Sequence, residues 1–142
     1  MISATHLHPM LVHFPIALVV LGFISESALL YFKKEDWLSK SGFYLLIVGT
    51  LSAIVTLLTG VFFTSEMTGS AANIQESHEL FAWLTLGTLI VTSTFRIILK
   101  MKVNENVNLK RIAFALYGMA AVFVSITGYY GGTLVYDYMM PL

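Results

Sequence analysis

Ser41–Phe63 reads SGFYLLIVGTLSAIVTLLTGVFF, 23 residues without a charged side chain or a proline. A helix needs ~20 apolar residues to cross a ~30 Å hydrocarbon core, and this run has that length. Three further runs resemble it: Met10–Phe32, His78–Ile98 and Arg111–Gly131. Polar segments separate them: Lys33–Lys40 (KKEDWLSK), Thr64–Ser77 (TSEMTGSAANIQES) and Lys100–Lys110 (KMKVNENVNLK). Buried helices of soluble proteins are usually shorter, and four such runs in one small chain point to lipid. The pattern predicts an all-α fold, an integral membrane four-helix bundle with up-down-up-down order, as a single transmembrane domain over residues 1–142.

Composition agrees. The chain has 142 residues, 57% of them hydrophobic and 11% charged, against about 25% charged in soluble domains. So few charges cannot cover a water-facing surface. Formal net charge is zero and no basic run suggests nucleic acid. The absence of cysteine excludes disulfides, thiolate metal sites, covalent c-type haem attachment and cysteine nucleophiles. Met1–Pro9 carries no Lys or Arg, and the run after it is too long for a signal-peptide core, so the first span is expected to be retained.

The charges are segregated. Lys33, Lys34, Lys40, Arg96, Lys100, Lys102, Lys110 and Arg111 all lie in or beside the first and third connections. The positive-inside rule puts those connections in the cytoplasm. Both termini and the second connection are then expected outside, on the periplasmic side of a bacterial inner membrane. Trp37, Tyr31, Tyr44, Tyr129 and Tyr130 suit interfacial anchors.

Helices in lipid pack through small residues. Gly42, Gly49, Ser52, Thr56 and Gly60 form one stripe on the second span. Gly118, Ala121, Ser125, Gly128 and Gly132 form one on the fourth. His78, Ala82, Thr85, Leu89, Thr92 and Arg96 share a face of the third. These faces are expected inside, for close packing or to leave room for a flat cofactor. Glu26 and Arg96 fall within the apolar runs. Their depths from His13 and His78 differ by five residues, about 7.5 Å at 1.5 Å per residue. Intramembrane charges are costly and usually partnered, so an ion pair stands against separate snorkelling to the interface.

All four histidines fall on the side without lysine or arginine: His6, His8, His13 and His78. His13 and His78 sit on different helices at similar depth. Two imidazoles on facing helices can hold a haem iron from both sides, join a Cu or Zn site, or serve only as interfacial hydrogen-bonding groups. His8 is a lesser candidate ligand. Met10, Met67, Met139 and Met140 gather on the same side, and mixed Met and His suit Cu(I). Pro9 and Pro15 bracket His13: a helix starting at Pro9 is kinked by Pro15, and one starting at Pro15 leaves residues 8–14 extended or turned. No Ser/His/Asp arrangement, phosphate loop or HExxH motif is present.

The opening His6-Leu7-His8-Pro9-Met10-Leu11-Val12-His13-Phe14-Pro15-Ile16-Ala17-Leu18 resembles the start of the domain of unknown function 2231 family, four-helix membrane proteins of bacteria. The resemblance continues through Thr59-Gly60 and His78 to Gly128-Tyr129-Tyr130-Gly131-Gly132-Thr133-Leu134-Val135-Tyr136. It implies four spans with histidines at one membrane face. Relatives of this type occur joined to Rieske or cytochrome c modules, which implies a b-type haem or electron-transfer role. One departure is Tyr138, where family members commonly have His.

The leading expectation is therefore a membrane-bound b-type cytochrome. His13 and His78 would be its axial ligands, and Gly60, Gly128 and Gly132 would make room for the porphyrin. Its partners would be a quinone, a periplasmic electron carrier or a membrane redox complex, with a homo-oligomer also open. The competing expectations are an accessory or scaffold subunit without a cofactor, and a periplasm-facing Cu or Zn protein. None of the three requires a stand-alone enzyme.

Overall fold

The computed structural model describes residues 7–32, 35–102 and 106–138. His6, Lys33, Lys34, Met139 and Met140, named above, lie outside them. Among the described residues the chain is helical, in the order α1 (Leu7–Leu11), α2 (His13–Ala28), α3 (Asp36–Phe63), α4 (Ser70–Met101) and α5 (Val107–Tyr136). With α1 and α2 read as one interrupted span, four helices are long and apolar enough to cross a membrane: Leu7–Ala28, Asp36–Phe63, Ser70–Met101 and Val107–Tyr136.

The helices run past the apolar runs that announce them. α3 starts at Asp36 rather than Ser41, with an acid in its first turn where the helix dipole favours one. α4 starts at Ser70, so the expected polar loop of residues 64–77 shrinks to 64–69. Gly69 ends that loop at φ 67°, a backbone region that suits glycine. The Asn106 side chain accepts hydrogen bonds from the amides of Asn108 and Leu109 at 2.9 and 3.3 Å, capping α5. The first span instead stops short of Phe32, at Ala28.

The chain folds as two antiparallel hairpins, α2/α3 and α4/α5, each packed more extensively internally than against the other. The bundle has large apolar side chains outside and small or hydroxyl residues within. Leu21, Val48, Leu51, Val55, Leu84, Val91 and Val122 are exposed. Gly22, Gly42, Gly49, Thr50, Thr56, Thr85, Thr92, Ser93, Ala120 and Ala121 are buried. That inversion suits a lipid solvent, where helix contacts form through small residues. The inner face of α5 is centred on Ala113, Tyr117, Ala120 and Val124 and leaves Ser125 of the expected stripe exposed.

Pro15 shapes the first span. It is buried, lacks an N–H and cannot bond the carbonyl four residues back, which is that of Leu11. The Thr56 hydroxyl of α3 donates to the Leu11 oxygen at 3.3 Å. The helix breaks at Val12 and resumes at His13. Val12 nevertheless keeps a helical backbone (φ −57°, ψ −28°) and donates to the His8 carbonyl at 3.1 Å. Of the two arrangements expected from the prolines, the structure therefore has the first, one span interrupted ahead of Pro15, with its start at Leu7 rather than Pro9.

Candidate functional site

The two ends of the bundle differ. At one end a cavity of about 890 Å³ lies among all four spans. His8, His13 and His78 line it, with Thr56, Gly60, Thr127, Gly128, Gly131 and Gly132 along its walls. Small-molecule and cofactor sites occupy roughly 300–1,000 Å³, so the volume is that of a binding site.

The structure brings His78 together with His8. Their ring centroids are 6.1 Å apart and their planes cross at 86°. His13, favoured by sequence over His8, also lines the cavity but is itself exposed. The reason is angular. Five residues on a helix of 3.6 residues per turn set the two side chains about 140° apart around the axis, so only His8 packs beside His78. Met10 is 56% exposed and does not line the cavity.

Both imidazoles are fixed in the same way. His8 Nδ1 lies 3.0 Å from the Thr56 carbonyl oxygen and 3.4 Å from the Thr59 hydroxyl. His78 Nδ1 lies 3.0 Å from the Thr127 carbonyl oxygen. A carbonyl oxygen only accepts, so each Nδ1 carries the hydrogen. In the neutral imidazole each Nε2 is then the acceptor, and neither Nε2 has a hydrogen-bond partner among the described residues. Tying Nδ1–H to a backbone carbonyl fixes the tautomer and aims Nε2, as for metal-ligating histidine.

Glycines make room for the rings. A Cβ on Gly60 would lie 2.9 Å from His8 Cε1, and one on Gly131 would lie 3.1 Å from His78 Cε1. Gly131 stands in the closing Gly128–Gly132 run, where its spacing does not distinguish it from its neighbours. Gly128 faces Ile16 Cδ1, and Gly132 meets nothing within 4 Å. Of the three glycines expected to make space for a porphyrin, Gly132 is the one that opens onto free volume.

At the other end Arg96 Nη2 lies 2.6 Å from Glu26 Oε1, with side chains 15% and 10% exposed. Gly42 lets this pair form, since a Cβ there would meet Glu26 Cγ at 2.5 Å. The Tyr117 hydroxyl donates to the Gly42 carbonyl oxygen at 3.3 Å, and Arg96 lies 6.0 Å from the Tyr117 ring centroid. All four spans thus meet around Gly42. Tyr117 is fully buried and carries no charge or periodic signal that would mark it in the sequence. The Thr50 and Ser93 hydroxyls, 2.7 Å apart, join α3 to α4. Val19, Leu46, Leu89 and Val124 form an apolar core.

Among the described residues no group of three or more His, Cys, Asp or Glu side chains is placed to hold a metal ion. The chemistry at the cavity is that of two imidazoles held by Nδ1 in a largely apolar lining that also includes Glu66, Gln75 and Glu79. A bundle of this kind is a four-span membrane protein with a cavity at one end that three histidines line, two of them packed together.

The chain belongs to the DUF2231 family, described as predicted membrane proteins, whose family model matches residues 4–141. No curated protein and no solved structure matches it.

Proposed function

We propose that the protein is a membrane-embedded b-type haem protein that carries electrons, with His8 and His78 as axial ligands. The observation that carries this is the pair of imidazoles from different spans, each held by Nδ1 on a helix carbonyl and facing the same cavity. With ring centroids 6.1 Å apart, His8 and His78 would be the residues that hold the haem iron, each through one imidazole nitrogen. The donor set also favours haem over a bare Zn or Cu ion. A tetrahedral zinc site needs three or four protein ligands, whereas a porphyrin supplies four nitrogens and needs only the axial pair.

The haem would supply one-electron chemistry. The residues of this chain would orient it, exclude water and set its potential. Ala53 and Val124 line the cavity and belong to the apolar core of Val19, Leu46 and Leu89, which would lower the local dielectric. The histidine end holds Glu66, Glu76, Glu79 and Asp137 and no lysine or arginine. With the basic end cytoplasmic, the haem lies near the periplasmic face of an inner membrane. That position suits exchange with a quinone or a periplasmic carrier. Reconstitution of the purified protein with haemin, followed by absorption spectroscopy, tests the proposal. A well-folded, colourless, metal-free protein would instead favour an accessory subunit.

A further inference from the structure

The basic end holds a second feature that the histidine site does not use. Lys100, in the last turn of α4, places its ammonium 4.1 Å from the Phe43 ring centroid and 5.3 Å from that of Tyr44. Both rings belong to α3, so the lysine spans the seam between the hairpins. Arg96 lies one turn back on the same face of α4 and spends one nitrogen on Glu26. Lys40 lies one turn before Tyr44 on α3 and is exposed.

Below these cations the surface changes character. Tyr44, Val48, Leu51 and Val55 follow at intervals of four and three along one face of α3, each at least half exposed. Ile97 on α4 is also exposed. A cationic head above an apolar stripe complements one chemistry, a phosphate joined to acyl chains. Tyr44 marks the headgroup level, where amphipathic rings collect. The charge balance agrees: among the described residues this end has six basic residues, Lys40, Arg96, Lys100, Lys102, Lys110 and Arg111, against three acids, Glu26, Glu35 and Asp36. Glu26 is held by Arg96, and Glu35 accepts from Trp37 Nε1 at 2.7 Å.

We infer that the α3/α4 seam at the basic end binds an anionic glycerophospholipid, with Lys100 and Lys40 on its phosphate and its chains along Val48, Leu51 and Val55. Basic pockets between membrane helices bind anionic headgroups, and each lysine near such a surface strengthens binding about fivefold. This site is independent of the haem proposal.

The test is native mass spectrometry and thermal unfolding of the full chain in detergent, with added phosphatidylglycerol, phosphatidylcholine of the same chains, or inorganic phosphate. Phosphatidylglycerol alone is expected to stay bound and raise the midpoint. K100Q and K40Q are each expected to weaken it about fivefold, and K102Q, outside the seam, much less. Equal retention of the two lipids, full stabilisation by inorganic phosphate, or an effect of K102Q as large as that of K100Q would each overturn the inference.

Discussion

His8 and His78 stand 6.1 Å apart with their planes at 86°, although 70 positions separate them in the chain. Each is anchored by Nδ1 on a carbonyl of a third element, Thr56 of α3 for His8 and Thr127 of α5 for His78. The pair therefore reports the packing of the whole histidine end, and its disturbance is a sensitive readout of that packing.

Glycine substitutions separate room for the rings from room for a ligand. Gly60→Ala and Gly131→Ala place a methyl 2.9 and 3.1 Å from the imidazoles of His8 and His78. Both are expected to shift the histidine ring resonances in NMR spectra and to weaken haem binding at least tenfold. Gly132→Ala meets no atom. Its rings are expected to remain in place, so any loss of binding would come from the ligand side alone.

Thr56 and Pro15 should be coupled. Thr56→Val removes the donor to the part-buried Leu11 carbonyl, and leaving such an acceptor unsatisfied costs roughly 1 kcal/mol, the low end for a buried one. Pro15→Ala restores the N–H that a helix would offer to that oxygen. Unfolding in detergent is expected to show a clear cost for Thr56→Val in the natural background and little cost after Pro15→Ala. Equal costs in both backgrounds would mean that the threonine does not replace the missing helix bond.

The pair of Glu26 and Arg96 is mostly buried. Removing one partner of a buried pair costs about 3–5 kcal/mol, whereas replacing both with apolar groups is often neutral. Glu26→Leu and Arg96→Leu are expected to destabilise strongly alone and to restore most of the stability together. A purely additive double variant would show that the two side chains act separately.

Sequence periodicity and charge reached some of this. Span length identified four membrane helices, and residue counting put Glu26 and Arg96 within side-chain reach. Which histidine packs beside His78 was not legible in the sequence, because a carbonyl on α3 holds His8 there. Tyr117 was equally hidden, since its importance comes from the glycines facing it on α2 and α3. The polar start of α4 was missed because Ser70–Ser77 is helical without being apolar, and an apolar run marks only the part of a helix within lipid.

Orientation can be measured directly, since the chain has no cysteine. Ser65→Cys, in the α3–α4 connection, is expected to react with a membrane-impermeant maleimide in intact cells. Lys102→Cys is expected to react only after permeabilisation. The reverse pattern would put the histidine cavity on the cytoplasmic side and remove periplasmic carriers as partners.

The most direct test of the central proposal is the absorption spectrum of the purified protein after reconstitution with haemin. A Soret band and the sharp visible bands of a reduced six-coordinate haem are expected. They should be lost or shifted to a five-coordinate form in both His8→Ala and His78→Ala, and retained in His13→Ala. Absence of a Soret band in the folded protein, or a spectrum that depends on His13 but not on His8, would contradict the account.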